Sequence, residues 1–127
     1  MKKLIVLLVV LLMAVSVFAA TRTATFTWTQ DAASLPLLSK WNVYSATKSG
    51  GPYTLLSSIT YDGTPKAQYT GTGTLTQTDG SSATYFFICR ALGKSGIESG
   101  NSNEVSATID LTVPGVPINF QVVISTS

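Results

Sequence analysis

The groups in this 127-residue chain with the chemistry to act on a substrate are six carboxylates, Asp31, Asp62, Asp79, Glu98, Glu104 and Asp110, and one thiol, Cys89; there is no histidine. Two carboxyl groups held about 5 to 10 Å apart can share acid and base work in hydrolysis, and oxygen-bearing residues at alternate positions of a short loop can wrap calcium. Neither local spacing occurs. Without imidazole, the common zinc sites and the triads that pass a proton through histidine are excluded. Gly71-Thr72-Gly73 lies among threonines with no strand-to-helix context, unlike a phosphate-binding loop. Cys89 has no partner for an intrachain disulfide, and its place between Phe87 and Ala91 on an apolar strand face predicts a buried, inert thiol. A noncatalytic chain is expected, with no cofactor and no bound metal.

Lys2 and Lys3 precede an apolar run over residues 4–18, the pattern of a secretory signal, and the small residues Val17 and Ala19 suit cleavage before Ala20. The run is shorter than the ~20 residues that span a bilayer, which argues against an uncleaved anchor. The expected division is a signal peptide over 1–19, one domain over 20–112 and a tail over 113–127. Removing Lys2 and Lys3 leaves six basic residues against six acidic ones, so the exported protein lacks the positive footprint of a nucleic-acid binder. Export to the periplasm or beyond the cell is expected, with no membrane contact once the signal is gone.

After Ala20 short apolar alternations are separated by turn residues, and no long helical period is present, so the chain reads as all-β. Strands are predicted at about 23–29, 40–46, 53–59, 68–76, around Tyr85, and 103–111. Period-two alternation turns Phe26, Trp28, Trp41, Val43, Leu55, Tyr69, Tyr85, Phe87, Val105 and Ile109 inward as the core. Six short strands favour an antiparallel sandwich of two sheets.

The order and spacing of several motifs resemble a fibronectin type III domain, an immunoglobulin-like sandwich, over about residues 24–109. Trp28 stands where that family places a tryptophan on its second strand. Leu38-Ser39-Lys40-Trp41-Asn42-Val43-Tyr44 is similar to its third-strand pattern, with Trp41 in place of the usual tyrosine, and Gly51-Pro52-Tyr53 to the turn that follows. The segment from Glu98-Ser99-Gly100-Asn101-Ser102-Asn103-Glu104-Val105 resembles the approach to its last strand. The resemblance implies that Tyr85 is a tyrosine corner whose hydroxyl bonds back to the backbone. Two features depart from it: no Leu-x-Pro precedes Tyr85, and the family's first strand is absent.

The tail carries what that first strand would look like. Ile118, Phe120, Val122 and Ile124 alternate with Asn119, Gln121 and Val123, so one apolar face is available. Four fates stay open: completion of a neighbouring copy head to tail by strand addition, a hairpin on its own last strand through Pro114-Gly115, a loose tail, or the start of a second domain.

Two surfaces are candidates for binding. The loops at 31–39, 60–65 and 93–101 should meet at one pole, with Lys94, Ile97 and Glu98 as the contact segment. Outward alternation of Tyr44, Phe86 and Ile88 predicts an apolar patch suited to a protein or glycan. The function expected is a structural or adhesion module making protein contacts, with head-to-tail self-association as one means; the alternative is a solitary domain recognising glycan or protein through the loop pole.

Overall fold

The computed structural model describes residues 19–126, so the signal-peptide expectation, apart from Ala19, lies outside the described residues. Six strands follow in order: β1 (Ala19–Trp28), β2 (Leu38–Ala46), β3 (Thr54–Thr60), β4 (Tyr69–Thr78), β5 (Ser82–Gly93) and β6 (Val105–Asp110). All pairings are antiparallel, in a two-stranded sheet β1-β4 and a four-stranded sheet β3-β2-β5-β6. The stretch expected as a loop at 31–39 holds a short 3-10 helix, Ala32–Leu37. Asp31 caps it, its carboxylate accepting the Ser34 N–H at 3.1 Å and the Ser34 hydroxyl at 2.6 Å.

The two sheets meet around Trp41, which is only 2% exposed. Its ring lies edge-on to Trp28 (5.2 Å between centroids, 65°) and tilted against Tyr69 (4.6 Å), with Tyr61 edge-on at 5.6 Å. Edge-to-face and tilted arrangements are the geometry that aromatic quadrupoles favour. The indole N–H of Trp41 donates to Gln30 at 3.0 Å, whereas the buried Trp28 Nε1 has no hydrogen-bond partner. A second contact between sheets sets Phe26 edge-on to Phe87 at 5.0 Å.

Gly71 and Gly73 admit this packing. A Cβ on Gly71 would stand 2.4 Å from Ile59 Cγ1 and 3.1 Å from Trp28 Cη2, and one on Gly73 2.8 Å from Leu56 Cδ2. Glycine at these positions lets side chains from β3 and β1 cover β4 closely.

Two expected core residues are outside. Leu55 is 57% exposed because a bulge between Val43 and Tyr44 opposes Val43 with Ser57 but Tyr44 with Leu55. The extra residue, Leu56, takes the inward position, and a one-residue slip sends Leu55 to the other face. Val105 keeps the inward phase, opposite Phe87, yet is 48% exposed because the two-stranded sheet does not extend over β6.

Tyr85 also departs from the expected corner. Its hydroxyl donates to the side-chain oxygen of Gln77 at 3.1 Å, not to the backbone. The buried Gln77 amide in turn donates to Ile109 O (2.9 Å) and Ser81 O (3.1 Å), tying β4 to β6 and to the turn before β5. The connection between sheets is made through an amide relay.

In urea denaturation, Leu56→Ala should cost about 2 kcal/mol and Trp41→Ala about 3 to 5 kcal/mol, while Leu55→Ala should stay within about 0.5 kcal/mol. A larger loss for Leu55 than for Leu56 would reverse the bulge assignment.

Candidate functional site

The carboxylates that looked free in sequence are partly consumed by structure. Glu98 lies over the outer face of the four-stranded sheet, where its Oε2 accepts the Tyr44 hydroxyl at 2.5 Å and the Asn42 amide at 3.2 Å. Arg90 reaches its other oxygen at 3.8 Å, lies 4.6 Å above the Tyr44 ring and donates to Asn101 at 2.7 Å. Asn42 continues the layer by accepting the Ser58 hydroxyl at 2.7 Å.

Glu104 is the second latch. It accepts the Ser49 hydroxyl (2.6 Å), the Gly50 N–H (2.8 Å) and the Tyr53 hydroxyl, holding the β2–β3 turn against the chain entering β6. Gly50 and Gly51 have φ of 84° and 96°, which glycine adopts without penalty.

Between the latches, residues 98–104 follow the edge of β5 without forming a strand. Ser99 and Ser102 exchange backbone and side-chain hydrogen bonds with Ala91 and Cys89: each serine N–H donates to the facing carbonyl (2.8 and 2.9 Å), and each hydroxyl oxygen accepts the facing N–H (2.9 and 2.8 Å). Polar residues thus continue the ladder in this family-like segment.

The predicted outer patch is not formed. Ile88 is 3% exposed, and Tyr44 and Phe86 are half-buried, because the latch layer crosses the face that alternation alone leaves to solvent. Glu98 likewise leaves the expected contact segment, its carboxylate being engaged on the sheet. The three loops do converge at one pole: Lys94 N–H donates to Leu37 O (2.8 Å), Tyr61 N–H to Ser39 O (3.1 Å), and Lys94 lines a hollow with Leu35, Pro36, Tyr61 and Pro65. Leu37 and Ile97 are exposed beside an open hollow of ≈ 440 Å³ at the same pole, with Lys94 on its wall.

Electrostatics follow the latches. Hydrogen bonds from Tyr44 and then Asn42, with the Arg90 charge adding, hold Glu98 below its ordinary 4.5; those from Ser49, Tyr53 and Gly50 do the same for Glu104. The donor tyrosines Tyr44 and Tyr53 are raised chiefly by these same bonds. Burial pushes the half-buried Cys89 thiol up to about 11, far from a reactive thiolate. Among the described residues no three His, Cys, Asp or Glu side chains gather as metal ligands.

The tail is the remaining feature. Residues 111–126 hold no strand, and Val113, Val116, Ile118, Phe120, Val122, Val123 and Ile124 are all exposed, Phe120 at 90%. The hairpin on β6 is not formed. Asn119 has a left-handed φ of 55°, a conformation asparagine tolerates, so the tail is bent rather than continuously extended.

No family model and no curated protein matches the chain. A solved structure of a Fn3-like protein from Clostridium thermocellum is 35% identical, covering 66% of this chain and 73% of that one, with a TM-score of 0.44.

A carboxylate whose pKa is lowered on folding stabilises the fold above its ordinary value, and that contribution is lost as pH falls through the lowered value. Urea midpoints should therefore drop as pH is taken from about 6 to below about 4. Glu98→Gln and Glu104→Gln should each flatten that drop; the remainder comes from Asp31, Asp62 and Asp110, which Ser34, Thr64 and Thr112 hold low. Equal acid sensitivity in wild type and in the double variant would contradict the latches.

Proposed function

We propose that this chain is a noncatalytic module of the fibronectin type III kind, exported and used as a structural or adhesion component that makes protein contacts. The carrying observation is the tail. Seven large apolar side chains stand in solvent along a segment without a charged residue, on a domain whose own strands are otherwise ordered into sheets. Apolar surface on that scale marks a contact site, since leaving it in water forgoes the free energy of burial. Sandwich order supports the family assignment: β3-β2-β5-β6 facing β1-β4 places the two indoles between sheets. The hydrogen bonds that Glu98 and Glu104 make to loops and sheet favour a structural role for them over a catalytic one.

A second function has its own observation. The exposed Leu37 and Ile97 flank the hollow at the loop pole, with Lys94 beside them, a combination suited to recognising protein or glycan.

Light scattering of the full chain across concentrations decides between the two. A tail contact predicts association that Phe120→Asp abolishes while the thermal midpoint at monomeric dilution stays fixed, because Phe120 is 90% exposed. A monomer at all concentrations, with ligand capture lost in Ile97→Asp and unaffected by Phe120→Asp, would transfer the function to the loop pole.

A further inference from the structure

We propose that residues 118–124 of one copy add as an antiparallel third strand to the open edge of β1 in a second copy, with Ile118, Phe120, Val122 and Ile124 turned onto its interior. This rests on the tail-contact function above and names the partner as another copy of the same chain.

The acceptor is defined by unequal sheet widths. Two strands face four, and β1 pairs with β4 along all ten of its residues on one edge while, among the described residues, no strand occupies the other. That open edge runs beside β5 and β6, where Phe26, Val43, Phe87 and the half-exposed Val105 line a hollow of ≈ 100 Å³. One more strand, ~4.8 Å further on, would bring side chains over this seam and satisfy the row of unpaired backbone groups. The donor fits in length and pattern: seven residues alternate against a ten-residue edge, and neither the tail nor the seam-facing Phe26, Val43, Phe87 and Val105 carries charge.

Chain geometry sends the tail outward. Leu111 is fixed at the β4–β5 turn, accepting the Gly80 N–H at 2.9 Å and donating to Ser81 O at 2.8 Å, and Ala19 pairs with Thr78 at this same end. In the two registers that keep apolar residues inward, antiparallel pairing begins at Phe26 or Trp28, ~23 or ~30 Å away along β1, whereas residues 112–117 span only about 20 to 24 Å even when fully extended. They also contain Pro114-Gly115, which bends the path. A second copy supplies its β1 edge at any distance. Parallel pairing with the chain's own β1 is within reach, but it would place one parallel pair in an otherwise antiparallel structure. Asn119 must leave its left-handed conformation for the donated strand to form. Each copy would give a tail and receive one, so the contact either closes into a ring of copies or extends as a fibre.

Disulfide trapping in a full-length Cys89→Ala background, with one introduced cysteine per chain, tests the acceptor. Gln121→Cys is mixed in turn with Thr23→Cys and Thr25→Cys, positions on the outward face of β1 that lie opposite Gln121 in the two registers keeping apolar residues inward. The expected result is a mixed disulfide in one of the two mixtures, several-fold above the homodisulfides of either variant alone, and lost when Phe120→Asp is added to the tail partner. Three results overturn the proposal. A doubly substituted chain that crosslinks within a monomer shows the tail pairing with its own β1. Association that Phe120→Asp abolishes without any crosslink to β1 keeps the tail as a contact and removes this acceptor. A chain that stays monomeric and uncrosslinked removes both.

Discussion

The fold depends on Trp41. Its indole is the point where the two sheets touch, with Trp28 from one side and Tyr69 and Tyr61 around it, and its N–H is tied to Gln30 just past the end of β1. Burying one large aromatic contributes several kcal/mol, a sizeable fraction of what holds a small domain folded. Without a disulfide available to Cys89, no covalent tie substitutes for that packing. The glycines of β4 follow from it, because Trp28 and Ile59 occupy the space a side chain at Gly71 would need.

Around this centre the polar residues serve closure. Glu98 and Glu104 each fasten a loop to the sheet, and Gln77 links Tyr85 to two backbone carbonyls. These are side chains that a search for catalysis or binding singles out first. Their geometry explains why a chain rich in serine and threonine keeps long loops in fixed positions, while large apolar side chains stand exposed at both ends: Leu37 and Ile97 at one pole and the tail at the other.

Much of the architecture was legible because alternation is a local signal. Phe26, Trp28, Trp41, Val43 and Phe87 share a phase that only a sandwich interior satisfies. Leu55 was misplaced because a bulge inserts one residue without any mark in composition, and the phase of β3 reverses at Leu56. Ile88 was placed outside by the same rule, since the cover over it comes from residues far along the chain. Glu98 and Glu104 accept hydrogen bonds from residues 51 to 56 positions away, a distance at which spacing carries no information. The apolar face of the tail was readable, whereas the open edge of β1 depends on strand pairing that alternation does not encode.

The proposed meeting of the open seam and the exposed tail between copies is tested most directly by isotope-filtered nuclear Overhauser spectroscopy. In an equal mixture of carbon-13-labelled and unlabelled full-length chains at high concentration, methyl groups of Ile118, Val122 and Ile124 should show cross-peaks to Phe26 and Val105 of the other isotopic species. Sharp tail methyl signals at random-coil shifts, with no cross-peaks between species, would contradict it.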